Sequence, residues 1–131
     1  MPTPTSFDYA IVRVVPHVER GEFINAGVIV FCRVRDFLAA QVELDRARLA
    51  ALAPDADPAE VQVHLDSIPR ICAGDPEAGP IGLLSRSERF QWLVAPRSTI
   101  LQTSPVHSGV CQEPAETAEH LMRTMVRLPT R

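Results

Sequence analysis

Apolar residues follow two periods along this chain. The segment Phe7 to Val15 (FDYAIVRVV) is β-branched and aromatic, apolar on both alternating sets and closed by Pro16, which predicts an interior strand. Glu22 to Val34 (EFINAGVIVFCRV) is again apolar on both sets. Phe37 to Leu44 instead alternates, with Leu38, Ala40, Val42 and Leu44 on one face and Ala39, Gln41 and Glu43 on the other. The two read as a hairpin turning near Arg35 and Asp36. Between the first two strands, Pro16 to Gly21 is polar apart from Val18, the composition of an exposed loop or projecting tongue.

Helical signals follow. Asp45 caps a short helix through Leu52, stopped by Pro54. Asp57-Pro58-Ala59-Glu60 opens a second helix with an N-cap acid, Pro at N1 and an acid at N3. Val61, Leu65, Ile68 and Cys72 recur in it at helical spacing, and Pro69 is expected to kink or end it. The Gly- and Pro-rich stretch Ala73 to Gly82 reads as a loop. Ser85-Arg86-Ser87-Glu88 is a capping box ahead of Phe90, Trp92 and Leu93, predicting a short helix or turn there against a competing RFQWLV strand. Arg97 to Ser104 reads as a fourth strand, and Pro114 opens a last helix with Ala118, Leu121, Met122, Met125 and Leu128 as its apolar stripe. Strands followed by helices predict an α+β fold: a mainly antiparallel sheet of about four strands with three to four helices packed on one face. At 131 residues the chain is expected to form one domain, 1–131.

Composition narrows the chemistry. With 46% hydrophobic and 22% charged residues the chain is neither a disordered tail, a coiled coil nor a collagen-like fibre. All 13 basic residues are Arg, so a Schiff-base lysine and a Walker-type phosphate loop are excluded. The formal net charge is -3, and six acids face one Arg between residues 51 and 80, which argues against nucleic acid as a partner. Cys32, Cys72 and Cys111 form no CxxC pair and are expected to be reduced, packed thiols, with no metal and no cofactor implied. The first ten residues lack a signal-peptide pattern, and the longest apolar run, Ala26 to Cys32, is too short for a bilayer. No membrane association and a cytoplasmic location are therefore expected.

A few polar residues interrupt the apolar segments. Arg13 shares an alternating face with Phe7, Tyr9, Ile11 and Val15, so its burial calls for an acidic partner, Glu22 or Glu43, with Glu22 favoured. Glu22 and Asn25 break the start of the second strand, and Asn25 is the only Asn in the protein. They either satisfy local backbone groups or contact a ligand at one end of the sheet. Of the four His residues, His64 and His120 fall on helices near acids and are expected to be solvated. His107, in Ser104-Pro-Val-His-Ser-Gly109, is a candidate base, although no GxSxG elbow accompanies it. Arg89, Trp92 and Arg97 combine residue types enriched at contact surfaces, while a lone Trp in a domain this size is more often core.

The segment Tyr9-Ala-Ile-Val-Arg13-Val-Val-Pro16, with Arg20-Gly-Glu22-Phe-Ile-Asn25-Ala-Gly27-Val28, resembles the opening of a bacterial family catalogued as domain of unknown function 3037. Arg89-Phe90-Gln91-Trp92-Leu93, Arg97-Ser98 and Val106-His107-Ser108-Gly109 are similar to its second half. Where the family pattern has Asp-Pro opening the last helix, this chain has Glu113-Pro114. The resemblance implies a small bacterial protein beside a kinase-like neighbour of the toxin-antitoxin type. The leading expectation is a non-catalytic accessory or interaction domain with that kind of protein partner. It would bind through the sheet end around Glu22 and Asn25 or through Arg89 to Arg97. The alternative is a small hydrolase or transferase with Glu22 or His107 as base and Arg13 or Arg89 holding an anion, which requires these groups to converge. In either case the embedded polar residues are expected at one rim of the sheet, and the oligomeric state stays open.

Overall fold

The computed structural model describes residues 3–129. Its elements run β1 (Thr5–Val14), β2 (Ile24–Cys32), β3 (Phe37–Val42), α1 (Arg46–Leu52), α2 (Pro58–Cys72), α3 (Arg86–Val94), β4 (Leu101–Thr103), β5 (His107–Cys111) and α4 (Pro114–Leu121), with a π-turn over Met122–Val126. The α+β class and the antiparallel sheet stand as expected. The sheet has five strands: β1 lies at its centre, with β2 and then β3 on one side, and β4 and β5 sharing the other.

β1 earns its central place by being apolar on both faces. Val12 and Val14 join Ile29, Phe31, Leu49, Val61, Leu65, Phe90 and Leu93 in one core, under α1, α2 and α3. Phe7 and Ile11 join Val28, Val30, Cys32, Leu121, Met122 and Val126 in a second core, under α4 and the π-turn. The helices therefore divide between both faces, where one covered face was expected. The near-continuous apolar runs of β1 and β2 already carry that signature, since a strand buried on both sides has no polar set.

Local signals set the helix starts. The Asp45 and Asp57 side chains accept from the backbone N–H groups of Arg48 and Ala59, and both arms of the Ser85–Glu88 capping box are formed. Pro69 does not end α2, which runs three residues further, to Cys72. Proline in the final turn deletes one ladder bond and leaves little helix beyond it to misalign.

The expected strand from Arg97 to Ser104 shrinks to Leu101–Thr103, and the stretch around His107, outside every expected strand, contributes β5. Between them the buried Ser104 bridges the gap: its N–H donates to the Ile11 carbonyl at 2.8 Å and its hydroxyl accepts from the Ile11 N–H at 2.9 Å. The hydroxyl takes the place of a ladder carbonyl as the acceptor for Ile11 in the gap between β4 and β5. The last helix departs from its predicted stripe in its final turn. A π-turn holds more residues than an α-turn, so after Met122 the next buried residue is Val126, while Met125 and Leu128 face solvent.

One irregularity governs the register. Val12 pairs with Gly27 but Arg13 pairs with Asn25, so Ala26 is an extra residue in β2. The slip brings β3 against Gly27: a Cβ there would lie 2.6 Å from the Gln41 carbonyl oxygen and 3.0 Å from Val42 Cγ1. Backbone cannot yield as a flexible side chain does. Gly27→Ala is expected to lower the urea unfolding midpoint by the equivalent of about 1–3 kcal/mol, with the slope unchanged.

Three carboxylates are held below their usual range. Asp75 is lowered by the Glu77 backbone N–H and then by Arg70, Glu88 by hydrogen bonding to Ser85, and Glu119 by its hydrogen bond from Arg127. A carboxylate with a depressed folded pKa stabilises the fold above its unfolded value and loses that contribution as pH falls through the folded value. Thermal melts are therefore expected to hold a constant midpoint from neutral pH down to about 5 and to fall progressively below the ordinary carboxylate values near 4.

Candidate functional site

The sequence-predicted residues separate into two groups on opposite faces. Arg13 on β1 lies across from Asn25 on β2 and Gln102 on β4. Its guanidinium sits 4.2 Å from the centroid of the Phe23 ring, and its Nε is buried without a hydrogen-bond partner among the described residues. The expected acidic partner is absent: Glu22, exposed in the loop before β2, pairs with Arg20, and Glu43 pairs with Arg127. Stacking on an aromatic face takes the place of an ion pair, which a planar, weakly hydrated guanidinium tolerates.

Asn25 has a local task, as the structural reading of it supposed. Its Nδ2 donates to the Met125 carbonyl at 2.9 Å, while Arg48 Nη1 donates to the Val126 carbonyl at 3.1 Å. The two side chains thus satisfy carbonyls that the end of the π-turn leaves open. Asn25 Oδ1, however, is buried without a partner among the described residues. The neighbourhood also carries two exposed apolar side chains, Phe23 at 43% and Met125 at 44%. Sequence reasoning missed both. Phe23 was detectable, because it falls on the same alternating set as Asn25, whereas Glu22 belongs to the other set.

His107 starts β5, exposed, opposite Tyr9, and their rings lie 5.4 Å apart. Tyr9 also lines an open groove of about 650 Å³ between β5 and α4, together with His120, Glu116 and Arg123. His107 and Glu22 do not converge. His107 pairs with Tyr9 while β2 begins opposite Val14, so roughly 17 Å of strand separates them, beyond the reach of one reacting atom. Ser108 donates to Asp8 Oδ1 at 2.6 Å, but successive residues of a strand point to opposite faces, so His107 lies away from that pair. No Ser–His–Asp relay is assembled here.

The second group lies with α3, on the face of the three-helix core. Arg89 is a structural clamp, donating to the Leu84 carbonyl at 2.8 Å and the Cys72 carbonyl at 3.3 Å, and so tying the end of α2 to the turn before α3. Trp92 is 39% exposed, where burial was the expectation, and Arg97 lies 4.6 Å over its ring. The gathering of all the embedded polar residues at one rim does not occur. Arg13 and Asn25 meet at one end of the α4 face, His107 lies further along that face, and Arg89, Trp92 and Arg97 belong to the other.

The thiols supply no nucleophile. All three cysteines are free and buried, and burial pushes the Cys72 thiol up to about 12, against a smaller lowering by Arg89. Among the described residues no three His, Cys, Asp or Glu side chains are grouped to hold a metal, and no helix is long and apolar enough to cross a membrane.

Fold and site together define a two-faced α+β domain with an aromatic–guanidinium contact at one end of its sheet. The family model described as Protein of unknown function (DUF3037) matches residues 9–126, and the chain belongs to that family. No curated protein and no solved structure matches the chain.

The lack of an acid beside Arg13 among the described residues has a measurable consequence. Breaking a buried ion pair costs about 3–5 kcal/mol, whereas losing a half-exposed cation–π contact costs about 0.5–1 kcal/mol. Because Met also removes the unpartnered Nε–H, Arg13→Met is expected to leave the urea midpoint unchanged or raise it; a loss in the ion-pair range would mean that a carboxylate does reach Arg13.

Proposed function

We propose that the chain is a non-catalytic interaction domain that docks a protein partner at the end of the sheet around Phe23, Arg13 and Met125, the partner being of the kinase-like class that the family resemblance implies. The observation that carries this reading is the Arg13 guanidinium held over the half-exposed Phe23 ring with no carboxylate partner among the described residues. Aromatic side chains, Met and Arg are the types enriched at protein interfaces, and Arg and aromatic residues dominate their energetic centres. Here Phe23 and Arg13 stack, Asn25 beside them bonds the Met125 carbonyl, and the stack fixes the guanidinium before any partner arrives. Preorganisation of that kind lowers the ordering cost of association.

Two further features support the same end. Bulges and π-turns recur where a chain re-aims side chains for function, and the Ala26 bulge and the Met122–Val126 turn meet at Asn25. The enzyme alternative lacks a comparable support, since Glu22 is paired with Arg20, Arg89 is engaged by the backbone carbonyls of Leu84 and Cys72, and His107 starts a strand on the other face from Arg89.

Affinity purification from the native host tests the reading. The wild-type protein is expected to retain a stoichiometric companion that Phe23→Asp loses at least tenfold, with the circular dichroism spectrum of the variant unchanged. The reading fails if no stable companion is recovered, or if Phe23→Asp and Arg13→Gln hold it as well as the wild type does.

A further inference from the structure

On the opposite face of the sheet, between α2, α3 and β4, lies a half-open cavity of about 300 Å³. Its floor is apolar: Ile68, Ile71 and Leu93 come from the buried core, and Ile100 and Leu101 close the side toward β4. Trp92 and Arg97 stand at its mouth. Arg97 is fixed there twice over, by stacking on Trp92 at 4.6 Å and by donating to the backbone carbonyls of Ala95 and Trp92. Among the described residues it has no carboxylate partner. A chamber with an apolar floor, polar side chains from His64, Ser67, Thr99, Gln102 and Thr103 elsewhere on its lining, and one immobilised, unneutralised cation has a definite complement.

We infer that this cavity is a binding site for a small amphipathic carboxylate, its hydrocarbon tail on the Ile68–Ile71–Leu93 floor and its carboxylate against Arg97. The tail gains from leaving water on the apolar floor. A planar guanidinium matches a carboxylate, whereas a phosphate or diphosphate calls for more donors than one Arg supplies. The volume accommodates roughly ten water-sized groups, which corresponds to an unbranched acid of about eight carbons with its head at the rim. The site is independent of the contact proposed at Phe23, which faces the other side of the sheet.

Trp92 is the only tryptophan of the chain, so its fluorescence reports on the mouth of the cavity without a label. The experiment titrates octanoate, below its micelle concentration, into the wild-type protein, with calorimetry repeating the measurement free of the reporter. Saturable binding is expected. Octanol, with the same tail and no charge, and Arg97→Gln with octanoate are each expected to bind about tenfold more weakly, the loss of one charge-assisted contact. Urea midpoints of the variant and the wild type should agree, since Arg97 lies in the loop after α3. A linear, non-saturating response overturns the assignment. So does equal affinity for octanol, or unaltered octanoate binding by Arg97→Gln. Tighter binding of an acetylated hexapeptide ending in Leu than of octanoate also overturns it, because the cavity would then belong to a partner's chain terminus.

Discussion

A central strand buried on both faces leaves its neighbour no freedom of register. β1 sends Val12 and Val14 into the three-helix core and Phe7 and Ile11 into the core under α4. β2 must match it apolar for apolar on each side. It does so in two sections of opposite parity: Ile24 and Ala26 share a core with Ile29 and Phe31, although the two pairs differ by an odd number of residues. The extra residue at Ala26 makes that possible. A one-residue slip flips every side chain beyond it to the other face, so without the bulge Asn25 would enter the three-helix core alongside Ile29 and Phe31. An amide there would lack the Met125 carbonyl that it now bonds. The bulge carries Phe23 and Asn25 to the α4 face together, opposite Arg13. The Arg13–Phe23 stack is thus a by-product of keeping a polar group out of the larger core.

The α4 layer is held chiefly by packing. Leu121, Met122 and Val126 are buried against β1 and β2, and the ion pairs from Arg127 to Glu43 and Glu119 are solvent-exposed arrangements that contribute little each. What the polar contacts supply is position. Asn25 and Arg48 each take one carbonyl at the end of the π-turn, which fixes where Met125 emerges relative to Phe23. A regular α-turn in its place would shift the buried set back toward Met125.

The features legible in the sequence were those encoded within a few residues of each other. The Asp45 and Asp57 caps, the Ser85–Glu88 box, the β2–β3 hairpin and the apolar strand β1 all follow from local composition and period. The features that were not legible depend on contacts distant along the chain. β5 reads His-Ser-Gly-Val-Cys, with no alternation strong enough to announce a strand, and it exists because β1 offers a second edge and Ser104 carries the ladder past Pro105. The division of helices between faces was implicit in the doubly apolar β1 and β2 but requires weighing the whole sheet. Trp92 was expected in the core because large aromatics usually are; Phe90, two residues earlier, takes that place by stacking on Phe31 at 5.0 Å. For the site, residue types were a better guide than groupings. Arg13 and Asn25 are neighbours across the ladder, a pairing the sequence did not single out, while Glu22 turns away to Arg20, and Arg89 belongs to the fold.

Arg13 is the residue that stability explains least. Its Nε–H is taken out of water without a hydrogen bond among the described residues, a cost of about 1–3 kcal/mol, and stacking on Phe23 returns about 0.5–1 kcal/mol. A Met or Leu at this position would cover Ile11 and Phe23 with no such deficit. The same holds for Asn25 Oδ1, for Phe23 left half in solvent, and for Met125 turned outward where a regular helix would bury it. Each is a small departure from what folding alone favours, and all four adjoin one another at one end of one face. Their coincidence supports a contact made there, because a partner that covers Phe23 and Met125 and meets the guanidinium converts each local deficit into binding energy.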